Sequence, residues 1–333
     1  MNIAVVILNW NGRKLLNTFL PTVVKFSEGY DIYVIDNGSE DDSLDFLNRH
    51  FPTVGVVSLP NNKGYAGGYN EGLKSIKADV YCLLNSDVRV TENWLHPFVI
   101  CFQNHPEVAI AQPHIMDLQK PTYFEYAGAA GGYIDRLGYP FCRGRIFNIL
   151  EKDEGQYDEN VSIFWASGAC FFIRSNTFKD LGGFDTDFFL HQEEIDLCWR
   201  TRNSGQQIVS VAATKVYHFG GASLPETFKK VYLNHRNSLF TLLKNLPKRQ
   251  LLPVFISRFF WEGVAILYYA VKLKPLFSIA VLYAHFSFWK HALRMWRKRS
   301  KKNISQYYEV RSILLQRYFA FKKIFTQLSI VKN

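Results

Sequence analysis

Val80-Tyr81-Cys82-Leu83-Leu84-Asn85-Ser86-Asp87 is a short apolar run that stops abruptly on an amide and a carboxylate two positions apart. Two earlier runs end the same way: Ile3 to Leu8 stops at Asn9-Trp10-Asn11-Gly12, and Ile32 to Ile35 stops at Asp36-Asn37-Gly38-Ser39. Apolar runs of strand length bounded by turn residues read as strands covered on both faces, the pattern of a parallel sheet. Ligands bind such a sheet beyond the carboxyl ends of its strands, where the following helices leave a crevice. The chemistry of this chain is expected in that crevice.

The segments between the endings read as helices. Arg13 to Phe26 carries Leu15, Leu16, Phe19, Leu20 and Val23 at helical spacing, and Ser43 to Arg49 repeats the pattern with Leu44 and Leu47. Alternating strand and helix implies right-handed crossovers and an α/β fold. Val54 to Leu59 reads as a further strand. The stretch from Asn62 to Gly72 reads as a loop whose glycines let backbone come close to a ligand or a neighbouring helix. From Asp117 to Asn160 periodicity fades while glycines accumulate, which marks a loop-rich insert suited to clasping a substrate.

With 333 residues, 48% of them apolar, the chain can fill one large or two modest cores and is not disordered. Its five cysteines are odd in number, widely spaced and mostly inside apolar runs, as expected of reduced, buried thiols in a cytosol. The amino terminus lacks the basic start and long apolar stretch of a secretory signal. The net charge of +10 belongs to the tail: from Lys244 onward 18 Lys and Arg face only Glu262 and Glu309, while the rest of the chain is net −6. That tail is also rich in aromatic and aliphatic residues, among them Phe255, Phe259, Trp261, Leu267, Tyr268 and Leu276 to Trp289.

Basic residues beside apolar bulk suit the face of an anionic bilayer better than a nucleic acid. The longest uncharged stretch there, Pro275 to Trp289, has 15 residues, short of the roughly 20 that span a bilayer. Residues 250–302 are therefore expected to lie on the inner face of the cytoplasmic membrane, with Arg294, Arg297, Lys298, Arg299, Lys301 and Lys302 against its headgroups. A solvated helix face packed on the rest of the chain is the plain alternative.

Several motifs follow one another in order: Val5 to Gly12, Val34 to Ser39, Asn62 to Asn70, Asn85-Ser86-Asp87, Trp165-Ala166-Ser167-Gly168-Ala169-Cys170, Gly182-Gly183-Phe184-Asp185, and Glu193-Glu194-Ile195-Asp196-Leu197-Cys198-Trp199-Arg200. Together they resemble glycosyltransferase family 2 enzymes of the GT-A fold, especially the rhamnosyltransferase-like members that build bacterial surface polysaccharides. The resemblance covers roughly residues 1–245. It implies a Rossmann-like, mixed, mainly parallel sheet flanked by helices, with a nucleotide-sugar half over 1–115 and an acceptor and catalytic half over 116–245. The basic, aromatic-rich residues 246–333 then form a helical, membrane-associating extension.

The implied activity is an inverting, metal-dependent transfer of a sugar, rhamnose by likeness, from a dTDP- or UDP-sugar to a lipid-linked saccharide acceptor. Asn85-Ser86-Asp87 stands in the family's metal slot, with Asp87 offering the carboxylate oxygen that Mg²⁺ or Mn²⁺ prefers. His218, after a strand and before Gly220 and Gly221, occupies a place where family members have a metal- or diphosphate-contacting histidine. Asn9, Asn11, Asp36, Gly64, Asn70, Asn85 and Asp87 are the expected nucleotide-sugar contacts, although Asn and Asp are also favoured at turns and helix caps. Trp165 and Gly168 would wall the acceptor, and a core role for the tryptophan is equally open.

Displacement in one step needs a carboxylate that takes the acceptor proton opposite the leaving group. Glu194 is the expected base, with Glu193 beside it. If the chain is helical from Leu190, Glu193 shares a face with Asp196 and Arg200 and can be a salt-bridged structural group. Arg236-Asn237 resembles a later pattern of the family and could touch phosphate. A sugar-nucleotide pyrophosphorylase lacks support, since no Gly-rich amino-terminal signature bearing Lys and Arg is present. A nucleotide-sugar-binding membrane scaffold without catalysis is the alternative, against which the two intact glutamates argue.

Overall fold

A computed structural model of the chain describes residues 1–220 and 227–331; Gly221 lies outside them. Its first part runs β1 (Ile3–Asn9), α1 (Arg13–Phe26), β2 (Asp31–Asp36), α2 (Ser43–His50), β3 (Gly55–Ser58), α3 (Gly64–Gly72), β4 (Val80–Asn85), β5 (Val88–Arg89), α4 (His96–Asn104) and β6 (Val108–Asp117). Four short strands follow, β7 (Gly132–Ile134), β8 (Pro140–Cys142), β9 (Arg145–Ile146) and β10 (Ile149–Leu150). Then come β11 (Val161–Ser162), β12 (Cys170–Arg174), α5 (Ser175–Asp180), α6 (Glu193–Asn203), β13 (Gln207–His218), α7 (Phe228–Asn245), α8 (Lys248–Val271), α9 (Pro275–Arg297) and α10 (Ile313–Tyr318).

The main sheet has the order β11-β13-β6-β12-β4-β1-β2-β3, with β5 paired to β13. Parallel pairing joins β3, β2, β1 and β4, while β12 runs antiparallel between β4 and β6, so the sheet is mixed as expected. Alternation decides which face each side chain fills. Ile3, Val5 and Ile7 point into a core closed by α1, α2 and α4. Ala4 and Val6 point into the opposite core, shared with α3, α5 and α6. α1 keeps the boundaries its periodicity predicts and buries Leu16, Phe19, Leu20 and Val23, a face expected to stabilise it by roughly 1.5–3 kcal/mol per large side chain.

The stretch expected as a glycine loop is a correction: residues 64–72 form α3. Its glycines have low helix propensity, but they permit an approach that no larger residue allows. A Cβ on Gly68 would sit 2.7 Å from Leu8, and one on Gly72 would sit 2.4 Å from Ile35. Tertiary packing of a glycine face onto β1 and β2 therefore overrides propensity. The loop-rich insert is likewise more ordered than its composition suggests, since β7–β10 make a small antiparallel sheet in the order β10-β9-β8-β7.

α8 and α9 form a hairpin whose outer surface is apolar. Leu252, Ile256, Phe260, Val264, Leu267 and Val271 recur along α8, and Ile279, Leu282, Phe286, Trp289, Leu293 and Trp296 along α9, all exposed. Repeats of three and four residues make each set a single stripe. By length and composition α8 could cross a membrane, yet its Arg258 and Glu262 are buried. The chain then returns to the main body, where Tyr307, Val310, Ile313 and Leu328 join the core beneath α6.

Three of the six cations expected on headgroups are engaged within the protein instead. Arg294 and Lys298 pair with Asp187 at 2.5 and 2.8 Å, and Lys298 also pairs with Asp185. Arg299 donates to the carbonyls of Leu243 and Leu246. Carboxylates and free carbonyls of the neighbouring loop and helix end were invisible partners in a linear reading. Arg297, Lys301 and Lys302 are exposed.

Candidate active site

The carboxyl ends of the central strands lie side by side, because the register sets Asp36 beside Asn9 and Leu8 beside Asn85. Beyond β4 opens a cavity of about 840 Å³ lined by Tyr65, Asn85, Gly168, Glu193, Glu194 and His218, among others. A depression of about 680 Å³ near Glu28, Asp31 and Thr53 lies at the amino-terminal end of β2 and gathers no comparable set of groups.

Two acidic groups enter the cavity from the first turn of α6. Phe189, His191 and Gln192 all have positive φ, so the helix begins at Glu193 and the condition of a helix from Leu190 is not met. Glu193 is buried with one carboxylate oxygen lacking any partner, so it is no member of a salt-bridged face. Asp196 and Arg200 do pair, at 2.8 Å, and Lys244 joins them. Burial and then the neighbouring Glu194 charge push the Glu193 carboxyl well above its usual range. Burial also raises Glu194, to about 7, against the opposing effect of main-chain N–H groups at the helix start. A carboxylate poised near neutrality is suited to taking a proton.

The strained approach to these glutamates is held by α7. The Asn237 amide, fully buried, donates to the carbonyls of Phe188, Leu190 and His191 at 3.0, 2.9 and 2.8 Å. Arg236 adds bonds to the carbonyls of Asp187 and Phe188 and to the Tyr232 hydroxyl. Arg236-Asn237 is thus engaged by protein main chain, where the sequence suggested phosphate. Left-handed residues persist only when their surroundings hold them, and one side chain here satisfies three carbonyls of the segment.

On the opposite side, His218 ends β13 between two carboxylates. Its Nε2 lies 3.2 Å from Asp87, and its Nδ1 lies 3.4 Å from Glu125, a residue that no motif in the sequence singles out. Burial alone would lower this imidazole; the two carboxylates outweigh it and raise it to about 10. Asp87 responds in kind: burial would raise it, but His218 and main-chain donors bring it below its usual value. Carboxylate and imidazole side by side are the donor types a divalent cation accepts. Asp87 and Glu125 lie against opposite nitrogens of the ring, and no three such side chains among the described residues are placed to hold one ion, so substrate oxygens would have to complete a coordination shell there.

The remaining expected residues are placed differently. Asn9 donates to Asp36 at 3.1 Å and to Ser39, while Ser39 N–H donates to the other Asp36 oxygen. Asn11 accepts from the Glu40 main chain. Asn70 exchanges both its amide groups with the main chain of Phe184, at 2.7 and 2.9 Å. The close approach at Gly64 is to the Phe189 ring. None of these five side chains or positions lines the cavity, and Asp87 reaches it through His218. Trp165 is 3% exposed and donates its indole N–H to the Tyr133 carbonyl, a core side chain that also contributes to the wall. Gly168 accepts from the Tyr65 hydroxyl at 3.0 Å.

Comparison with known proteins bears on the family and the fold. The model of the Glycosyl transferase family 2 matches residues 4–182. Rhamnosyltransferase WbbL of Escherichia coli is 30% identical over 245 residues, covering 72% of this chain and 91% of the relative. N-acetylglucosaminyl-diphospho-decaprenol L-rhamnosyltransferase of Mycobacterium tuberculosis is 24% identical, covering 56% and 66%. The chain spans 37% of the length of the mycobacterial pre-mycofactocin glycosyltransferase, to which it is 28% identical over 57% of its own length. Among solved structures, GalNAc-T7 with UDP, GalNAc and Mn²⁺ shares the fold at a TM-score of 0.59, with 18% identity over 74% of this chain and 48% of that one.

Proposed function

The chain belongs to glycosyl transferase family 2, and we propose that it moves a sugar, rhamnose by likeness to two relatives, from a dTDP- or UDP-sugar to a lipid-linked saccharide. The observation that carries this reading is one cavity receiving Glu193 and Glu194 from α6 and His218, backed by Asp87, from the strand ends. In it Glu194, ionised near neutral pH, takes the proton of the incoming hydroxyl. The anomeric centre is then displaced in line and inverted, with the nucleoside diphosphate leaving on the opposite side. Burial and the neighbouring Glu194 charge push the Glu193 carboxyl well above its usual range, which makes Glu193 the less ready of the two to ionise.

Asp87 and, once a cation displaces its proton, His218 are the residues that would hold Mg²⁺ or Mn²⁺, and a divalent cation there would neutralise charge on the leaving diphosphate. Asn85 and the network of Asn9, Asn11 and Asp36 support the nucleotide along the same sheet edge, with Gly64 and Asn70 shaping α3 beside it. Trp165 and Gly168 belong to the acceptor wall. The exposed stripes of α8 and α9, with Arg297, Lys301 and Lys302 nearby, favour attachment to the cytoplasmic face of an anionic membrane where a lipid-linked acceptor is presented.

The test supplies the full chain with labelled dTDP- and UDP-sugars, Mn²⁺ and a polyprenyl-diphospho-saccharide in anionic vesicles. Label should pass to a lipid-extractable product, chelator should suppress it, and the protein should float with the vesicles. Failure with every nucleotide sugar would overturn the reading in favour of a binding scaffold.

A further inference from the structure

We propose that Arg145 is the anchor of a diphosphate subsite in the cavity wall formed by the small sheet. The inference rests on the transferase reading and goes beyond it by assigning a cation to a substrate phosphate. Arg145 is 6% exposed and lines the cavity. Among the described residues no carboxylate forms an ion pair with it. Its Nη1 donates to the Phe147 carbonyl at 3.3 Å, its Nη2 reaches only the Cys142 sulfur at 3.4 Å, and its buried Nε has no partner. The guanidinium also lies 4.5 Å from the centre of the Tyr126 ring, another wall residue.

Arg258, the other arginine in this wall, shows what a structural cation looks like here. It holds Glu262 at 2.8 Å and donates to Ser238 and the Leu137 carbonyl. A buried cation without a directly paired carboxylate is costly; the Glu125 charge reaches Arg145 only from beyond ion-pair distance and is shared with His218, at the surface of a cavity. Its planar fork matches the oxygens of a phosphate.

A second observation bears on the same space. The first turn of α7 contains no acidic residue but presents Lys229 and Lys230 to the cavity, next to its cap Thr227. Two cations at the positive end of an 18-residue helix are unfavourable, and an anion bound beside them would offset that. Arg145 from the small sheet and Lys229 and Lys230 from the start of α7 thus line the same cavity, a basic frame suited to an anionic group.

A diphosphate ester fits that frame, and two substrates carry one: the nucleotide donor and a prenyl-diphosphate acceptor. Isothermal titration of the full chain with UDP, dTDP and geranyl diphosphate distinguishes them. R145Q should weaken at least one probe by roughly tenfold or more, the worth of a charge-assisted hydrogen bond. Loss confined to UDP and dTDP assigns the donor, and loss confined to geranyl diphosphate assigns the acceptor. R145K, which keeps the charge but not the fork, should recover part of the affinity and stands in should R145Q not fold. Unchanged affinity for all three probes in a folded variant overturns the subsite while leaving wild-type transfer intact. A wild-type chain that binds none of them overturns the transferase reading as well.

Discussion

The two ends of the strand-end crevice are built on opposite terms. Toward β2, most polar groups answer one another: the Asn9 amide N–H groups with Asp36 and Ser39, and Asn70 with the Phe184 main chain, although the Asn9 Oδ1 finds no partner among the described residues. Toward α6 and the small sheet they do not, as the unpartnered atoms of Glu193 and Arg145 and the raised carboxyl of Glu194 attest. Buried polar groups are normally satisfied, so the first region accounts for most of its residues by holding shape. The second leaves polar atoms that no described residue answers. Polar residues of similar appearance in a sequence thus divide into scaffold and chemistry only when their partners are counted.

The sharpest way to break that contrast is Glu194→Gln. Turnover should fall by on the order of 10² to 10⁴, the usual worth of a general base, with nucleotide affinity retained. Because only the ionised carboxylate accepts a proton, the wild-type rate should climb as pH rises through about 7 and level off above it. The variant should lose that climb, and a near-normal rate would move the role to Glu193. Next in size is Asn237→Ala, which frees three carbonyls behind the glutamates. Misplacement of a catalytic group by an ångström costs about 10²-fold, so kcat should drop to that extent while UDP binding holds. An equal loss of UDP affinity would reveal general collapse. Smallest is Asn70→Ala, expected to lower unfolding stability by about 1–3 kcal/mol through the two unanswered groups of Phe184. If denaturant melts are unchanged while nucleotide affinity falls, Asn70 belongs to the chemistry after all.

Much of the frame could be read along the chain. α1 keeps both predicted ends, and the three polar strand endings lie together because parallel pairing carries the sequence pattern into space. Glu193-Glu194 and His218 stood out through their place in ordered motifs. What escaped reading depends on convergence over long separations. α3 hides because its glycines signal flexibility locally and close packing globally. Glu125 and Arg145 sit in an insert of very short strands with no period to mark a face. The task of Asn237 is set by a loop 46 to 49 positions earlier.

The pairing of Arg294 and Lys298 with Asp187 has a bearing on how this molecule can be taken apart. Asp187 lies in the segment that Arg236 and Asn237 also grip, so the second helix of the hairpin braces the same turn that aims the glutamates. A fragment ending at residue 245 would strip Asp187 of both counter-ions and bare the rings of Phe188 and Phe240 that rest beside Phe288. The greasy arm is a strut of the catalytic machine, and it cannot be trimmed as though it were a leash.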